Sequence, residues 1–562
     1  MTSESNVNKP WLEHYPAGRP FEINPDEYAS LVDLLMHSCN NYEDTAAFTN
    51  MGKTISYREL DQLTADFAAW LHHGAHLQRG DRIALMMPNL LQYPIAMLGA
   101  LRAGLIVVNT NPLYTAHELQ HQLSDSGAVA IVVLENFAHV LESVLSITQI
   151  QTVIITGVGD QLGLLRQSVV NFLVRHIRHQ VPRYSFDKAI RFNQALREGR
   201  YLPRHDANLN HEDIAFLQYT GGTTGVAKAA VLTHRNIVAN CLQASACLGG
   251  INLRDEVAIT ALPLYHIFSL TVNCFVFLHL GAHNVLITNP RDFNGFVKEL
   301  AKYPFAAITG VNTLFNALLH TEDFAALNFS RLKISLGGGM AVQPAVASMW
   351  KQVTGCIVSQ GWGLTESSPV GCVTDLNRDF DGSIGMPVPS TELSVRDEQG
   401  HLVNAGESGE LCLRGPQVMR EYWQRPDETT KVMLTGGWLR TGDIGRMDER
   451  GRFFIEDRMK DMIMVSGFKV FPNEVEAVIA ELPGVLEVAA VGQPDERSDE
   501  SVAVFIVRKN PALTSEEIIA HCRTQLTGYK VPKHIYFHNS LPKTNVGKIL
   551  RRALREQLIQ KA

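Results

Sequence analysis

Between residues 82 and 155 the chain alternates short, uninterrupted apolar runs with longer mixed segments. Residues 82–87, 105–108, 128–134 and 153–155 read as strands, and residues 90–103, 117–123 and 142–145 as helices. Strands without polar alternation are apolar on both faces, the pattern of a parallel sheet covered by helices on each side. Residues 214–218 read as a further strand, and residues 229–236 as a strand that runs into a helix. The apolar run 269–287 is broken by Asn273, His279, His283 and Asn284. A membrane span needs about 20 mostly apolar residues, so this run is expected to be a buried helix and strand of a large α/β domain. From residue 164 to 186 the alternation breaks. Val169, Val170, Phe172, Leu173, Val174 and Ile177 are apolar there, while Arg166, Arg175, Arg178 and Arg183 are basic with no acid between them. Two readings fit such a basic amphipathic helix: a surface helix packed on the core, or one lying at an anionic membrane surface.

The ends of the apolar runs carry the candidate chemistry. The stretch after residues 214–218 contains Thr220, Gly221, Gly222, Thr223, Thr224, Gly225 and Lys228. Glycines let backbone N–H groups converge on an anion, threonine hydroxyls add donors, and the lysine adds a point charge, so the stretch reads as a phosphate cradle. Val226 and Ala227 after Gly225 exclude a Walker A loop; the competing reading is a flexible Gly/Thr surface loop. His266 closes the run Leu262-Pro263-Leu264-Tyr265-His266 at a strand end. Gly337, Gly338 and Gly339 end another strand and permit close approach of a flat ring such as adenine. In Gln360-Gly361-Trp362-Gly363-Leu364-Thr365-Glu366 the glycines allow a tight turn, Trp362 offers a stacking face, and Glu366 suits Mg²⁺. The third glycine of a dinucleotide fingerprint is missing, which argues against NAD. Asp443 follows a Thr-Gly turn and is placed to accept both hydroxyls of a ribose. Arg458 and Lys460 sit in a charge cluster whose plainer reading is an exposed turn, and Gly467 lies in the segment 465–472 that leads into a helix. Lys548, presented by a Gly turn ahead of the amphipathic helix 549–558, can reach an anion; its plainer reading is a solvated charge.

Composition narrows the class. A chain of 562 residues with 45% hydrophobic content can bury large cores and is expected to hold more than one domain. The net charge of −7 implies no general nucleic-acid surface. Eight scattered cysteines with no CxxC pair point to buried thiols in a reducing compartment. The polar start, Met1-Thr2-Ser3-Glu4-Ser5-Asn6, lacks the order of a signal peptide, so a cytoplasmic protein is expected. The absence of a GxSxG elbow gives no support to a hydrolase.

Taken in order, these motifs resemble the adenylate-forming (ANL) superfamily over residues 31–552, and the block 436–472 resembles the fatty acyl-CoA synthetase signature. The fit, including the opening Trp11-Leu12-Glu13-His14-Tyr15-Pro16, is similar to bacterial long-chain fatty-acid–CoA ligases of the FadD type. The resemblance implies an α/β fold: a large N-terminal domain, residues 1–459, of two sheet-containing subdomains plus a distorted β-barrel, and a small mobile α+β C-terminal domain, residues 460–562, hinged at Lys460. It implies ATP, Mg²⁺ and coenzyme A as cofactors and co-substrate, and medium to long unbranched fatty acids activated through an acyl-adenylate for fatty-acid degradation. By resemblance, Lys548 bridges the attacking carboxylate and the α-phosphate, and Thr220 and Glu366 hold Mg²⁺. Residues 220–225 and Lys228 hold phosphates, Gly337, Gly338, Gly339 and Trp362 hold adenine, and Asp443 with Arg458 holds the ribose. His266 lines the path between acyl pocket and nucleotide, and Gly467 the entry for the pantetheine arm. A homodimer is implied as well; peripheral association with the inner membrane face is expected because a long-chain substrate partitions into bilayers and residues 166–183 set four arginines beside an apolar stripe. Two departures from the family pattern are Ala229 for glycine and Trp362 for tyrosine, and Leu270 stands where some long-chain synthetases carry a tunnel-gating tryptophan. Rival classes are a fatty acyl-AMP ligase, a luciferase-like oxygenase, and a non-catalytic nucleotide- or lipid-binding protein. Lys548, Glu366 and Asp443 together argue against the last.

Overall fold

A computed structural model describes residues 7–220, 227–495, 497–544 and 546–559. The first sheet has seven strands in the order Ile190–Arg191, Thr152–Thr156, Ala130–Leu134, Arg82–Met86, Ile106–Thr110, Ile214–Thr220 and Lys228–Thr233. All pairs are parallel except the last, where Ile214–Thr220 and Lys228–Thr233 run antiparallel with Thr220 opposite Lys228. The apolar runs read from the sequence are therefore strands of one largely parallel sheet. Their central members are buried on both faces because helices such as Gln92–Arg102 and Ala116–Ser126 cover them.

The second sheet has nine strands. Its parallel body runs Val358–Gly363, Ile334–Gly338, Phe305–Gly310, Val257–Thr260, His283–Leu286 and Ala46–Asn50, with antiparallel strands at both edges. The run 269–287 is a buried helix and strand as expected. Ser269–Val276 is a π-helical stretch continued by Phe277–His279, and His283–Leu286 is a strand. Two of its polar interruptions accept hydrogen bonds inside the fold: Asn273 from the Thr309 hydroxyl at 2.8 Å and Asn284 from that of Thr260 at 3.0 Å. Among the described residues no helix is long and apolar enough to cross a membrane.

The region expected as a distorted barrel is a five-stranded antiparallel sheet, built around Gly409–Arg414 and Trp438–Met447, that does not close on itself among the described residues. A fourth sheet follows residue 462. Its strands Ile463–Val465, Phe468–Val470, Val485–Asp495, Asp499–Arg508 and His534–His538 carry apolar clusters on both faces. Helices Pro472–Ala480 and Ser515–Gln525 cover one face, and Arg551–Ile559 the other. All eight cysteines are buried and unpaired.

Residues 164–177 depart from the packed-helix reading. Helix Leu164–Phe172 buries none of its residues, and Val174 alone of the apolar stripe is buried. Leu164, Leu165, Val169, Phe172 and Ile177 are 86, 87, 58, 57 and 61% exposed. Arg175 does not belong to a free basic face: it pairs at 2.5 Å with the buried carboxylate of Glu135. Arg178 and Arg183 are exposed.

Candidate active site

The parallel strands of the second sheet end at a cavity of about 590 Å³, roofed by the C-terminal sheet's last loop. Ligand sites of open α/β sheets lie at the carboxyl ends of strands, where loops diverge and leave backbone groups unpaired. Ile214–Thr220 from the first sheet delivers Thr220 to the cavity wall. Lys228 enters from the start of the next strand. The connecting residues, including Gly221, Gly222, Thr223, Thr224 and Gly225, lie outside the described residues. Thr220 and Lys228 frame that loop: the Thr220 hydroxyl donates to the Lys228 carbonyl at 3.3 Å. The Lys228 ammonium sits 3.9 Å from the centre of the Tyr422 ring and 3.1 Å from Glu428.

One wall is made of strand ends that only glycine fits. A Cβ on Gly338 would lie 2.9 Å from the Phe268 ring, and one on Gly363 would lie 1.7 Å from the Pro369 carbonyl oxygen. Gly339 has φ +77°, and a Cβ there would lie 2.9 Å from Cε of Lys548. Gly338, Gly339, Gly361, Trp362, Gly363, Leu364, Thr365 and Glu366 all face the cavity. Gly337 and Gln360 stand behind that wall. Gln360 spends its amide on backbone, donating to Ser383 at 2.8 Å and accepting from Val342 at 3.0 Å. It braces the strand ends from the rear.

Asp443 is almost fully buried (4% exposed); it is not itself among the lining residues, but Gly442 before it and its partners Trp362 and Arg458 are. The indole of Trp362 donates to its Oδ2 at 2.9 Å, and Nε of Arg458, opposite it across the strand pair, lies 3.2 Å from its Oδ1. Each carboxylate oxygen thus has one charge-assisted or buried donor fixing its direction. Glu366 accepts the Tyr422 hydroxyl at 2.6 Å. Tyr422, which the motif reading did not single out, therefore touches both Glu366 and Lys228; an isolated tyrosine in a loop carries no sequence signal for this.

Lys548 reaches the cavity from the opposite end of the chain. Its loop is pinned at Gly547, whose carbonyl accepts the Thr313 hydroxyl at 2.8 Å. Burial, assisted by the positive charges of Arg458 and Lys460 and opposed by Asp443, brings the Lys548 ammonium down to about 8. His266 lines the same cavity and is driven down to about 3 by burial and then by Lys548, so it is neutral. Lys460 and Arg458 also line the cavity. Gly467 does not. It sits exposed, with φ +81°, in the turn between Ile463–Val465 and Phe468–Val470. The deeper part of the cavity is apolar, lined by Ala244, Cys247, Leu248, Val272, Val276 and Phe277. Leu270 is fully buried and is not among the lining residues.

The geometry places the Thr220 and Lys228 ends of a strand pair, a glycine wall with an indole and a buried amine around one chamber with an apolar extension, with a fixed carboxylate behind the indole. Comparison with known proteins agrees. The family model described as AMP-binding enzyme matches residues 35–423, and that of the AMP-binding enzyme C-terminal domain matches residues 474–548. The chain belongs to the AMP-binding enzyme family. Among curated members, a long-chain-fatty-acid–CoA ligase of Escherichia coli O157:H7 is 56% identical over 553 residues, 98% of both chains. One of Bacillus subtilis (strain 168) is 36% identical over 560 residues, 98% of both chains. Among solved structures, a benzoate CoA ligase from Burkholderia xenovorans LB400 superposes with a TM-score of 0.80 at 25% identity, covering 94% of this chain and 99% of that one. The anthranilate CoA ligase AuaEII, in complex with anthranoyl-AMP, shares the fold at a TM-score of 0.86 and 24% identity, covering 96% and 99%.

Two outcomes follow for this AMP-binding enzyme. A Lys548 ammonium that titrates near 8 is charged below that pH and neutral above it. In the free enzyme, kcat/KM for ATP in the adenylation step should fall as pH rises through about 8. Lys548→Arg, permanently charged, should lose rate but remove that limb from the pH profile. Trp362→Phe keeps the ring and deletes the donor to Asp443. A hydrogen bond to a charged group is worth about 1.5–3 kcal/mol, so KM for ATP should rise about tenfold or more with kcat little changed, read by steady-state kinetics.

Proposed function

We propose that the chain activates medium- and long-chain fatty acids to acyl-CoA in two steps, feeding fatty-acid degradation. A fatty carboxylate oxygen attacks the α-phosphorus of ATP, the bond to the β-phosphate oxygen breaks, and pyrophosphate leaves. The thiolate of coenzyme A then attacks the acyl carbonyl carbon and AMP departs with the carboxylate oxygen. The observation that carries this reading is the seat of Lys548, a dehydrated amine brought over Gly339 and beside Asp443 and Arg458 at the mouth of an apolar chamber. The first step joins two anions, so a positioned cation supplies most of what the protein can offer. Lys548 neutralises the carboxylate and α-phosphate as they meet. Lys228 and Thr220 receive the outgoing phosphates, and Asp443, steadied by Trp362 and Arg458, accepts the ribose hydroxyls.

Thr220 and Glu366 offer hard oxygen donors on one cavity wall, a set suited to Mg²⁺, which takes one or two carboxylates together with substrate phosphates. The ion, when bound, supplies charge neutralisation on those phosphates. Neutral His266 separates the nucleotide end from the apolar chamber without adding a second positive charge. Residues 1–459 form the body and residues 460–562 a domain that turns about Lys460 between the steps. That turn withdraws Lys548 and brings the exposed turn at Gly467 to the pantetheine entry.

The functional test is CoA-dependent AMP formation across unbranched acids of graded length. Each buried methylene contributes about 0.8 kcal/mol, so kcat/KM should climb with length until the chamber ends; a maximum at acetate or an aromatic acid would overturn the assignment. Lys548→Ala should lose adenylation by roughly 10²–10³ yet still convert supplied acyl-adenylate and CoA to thioester.

The same reading extends to the membrane from which such substrates are drawn. Helix Leu164–Phe172 presents a nearly uncovered apolar face followed by the exposed Arg178 and Arg183, the arrangement of a helix lying in an anionic interface. Reversing Arg175 would also strand Glu135, so the informative variant is Arg178→Glu with Arg183→Glu. Each basic residue near an anionic surface is worth about 1 kcal/mol. Co-sedimentation with phosphatidylglycerol vesicles should drop sharply in this variant, and in Leu165→Ser with Phe172→Ser, while activity on soluble medium-chain acids is kept.

A further inference from the structure

Chain segments from both sides of Lys460 meet at one buried carboxylate. Asp457 lies at the end of strand Phe453–Arg458 and is 1% exposed. Its Oδ2 accepts the backbone N–H of Asn473 at 2.9 Å, in the first turn of helix Pro472–Ala480. Its Oδ1 takes the N–H of Arg458 at 2.7 Å and lies 3.5 Å from Nη1 of Arg551. Arg551 begins the last helix, three residues after Lys548. Its remaining contacts all lie beyond Lys460. Nη2 reaches both oxygens of Glu476 at 2.8 and 2.9 Å and Oδ1 of Asn473 at 2.8 Å, and Nη1 lies 3.6 Å from Asp461. The guanidinium is thus fixed inside the C-terminal part and turns one edge toward Asp457.

Other contacts across the same boundary are of a different kind. Lys509 with His320 at 3.1 Å, Lys469 with Glu398 at 3.3 Å and Arg291 with the Thr544 carbonyl at 3.5 Å are exposed, where such contacts contribute little. Thr313 with Gly547 and Asn316 with Leu486 are neutral hydrogen bonds. Asp457 is a buried carboxylate met from beyond Lys460 by both the Asn473 N–H and the Arg551 guanidinium.

We propose that Asp457 is a positioning residue, a latch that acts through Arg551 and Asn473 to favour the arrangement in which Lys548 occupies the cavity. When the C-terminal part turns about Lys460, Asp457 stays with its strand while Asn473 and Arg551 leave, so the carboxylate stabilises one arrangement and biases the equilibrium by that difference. The proposal rests on the reading that Lys548 serves adenylation and not thioester formation.

Asp457→Asn keeps shape and an acceptor for the Asn473 N–H and removes the charge that faces Arg551. Acid-dependent exchange of pyrophosphate into ATP should fall about tenfold, the scale of one lost charge-assisted contact. Thioester formation from supplied acyl-adenylate and CoA should be unchanged or faster. A second readout needs no chemistry. His320→Cys with Lys509→Cys places two exposed thiols where side chains now touch, and every native cysteine is buried. A short bismaleimide should join them in the wild-type background and do so in lower yield with Asp457→Asn. Loss of both half-reactions together, or an unchanged cross-link yield, overturns the latch. If Lys548→Ala retains adenylation, the parent reading fails instead; if it loses adenylation while Asp457→Asn behaves as wild type, only the latch fails. Should Asp457→Asn not fold, Arg551→Lys, which keeps the charge and shortens the reach, tests the same contrast with the same two outcomes.

Discussion

A single ammonium group has to be dehydrated, kept close to two positive neighbours, and aimed at a chamber whose other walls come from residues 218 to 460, far earlier in the chain. That requirement shapes much of the surrounding structure. The site beneath Lys548 is a glycine in a left-handed conformation, because any Cβ at Gly339 would press on the lysine's own methylene. The loop that presents the amine is tied down at Gly547 by Thr313, and the helix after it is anchored through Arg551. An amine so held responds to charge: an anion brought beside it favours the protonated form that burial and Arg458 oppose.

The carboxylate partner is managed in the complementary way. Asp443 is buried, and a buried charge is tolerable only where donors meet it. Trp362 and Arg458 supply those donors from two different strands, and in doing so fix the orientation of the carboxylate. The tryptophan is a departure from the family's usual tyrosine, and its indole N–H is what makes the departure workable: it adds a donor to Asp443 while keeping an aromatic face on the cavity. Tyr422 plays a parallel part beside Lys228, with its hydroxyl on Glu366 and its ring under the lysine. In both places one aromatic side chain couples a carboxylate to the chamber, so the acidic groups keep a defined orientation without a ligand.

Much of the architecture could be read from hydrophobic pattern. The continuous apolar runs at 82–87, 105–108 and 128–134 could be satisfied only by burial on both faces, and they are the central strands of the parallel sheet. The run 269–287 was legible as a buried helix and strand because its polar interruptions are too many for a membrane span, and inside the fold its asparagines find hydroxyl partners. Gly338, Gly339 and Gly363 announced themselves because close approach leaves no room for a side chain, and three such glycines at strand ends are hard to explain otherwise. The order of these motifs sufficed to indicate the family. Pattern alone did not decide whether residues 164–177 pack on the core, since an amphipathic stripe has the same period whatever covers it.

What tertiary structure decided was which groups share a space. Nothing in the sequence says that Gln360 spends its amide on backbone while Trp362, two residues on along the same strand, donates to Asp443, because residues two apart share a face and only the surroundings decide what each one meets. Nothing in it pairs Arg175 with Glu135, Tyr422 with Glu366, or Arg551 with Asp457, since those contacts join segments 40 to 94 residues apart or come from separate elements. The sequence by itself determined the local elements, the glycines where backbone must approach, and the inventory of charged groups, for these follow from short-range sterics and periodicity. The partners of those charges were decided by the three-dimensional packing, because electrostatic interaction depends on distance and dehydration, and both are properties of the folded chain.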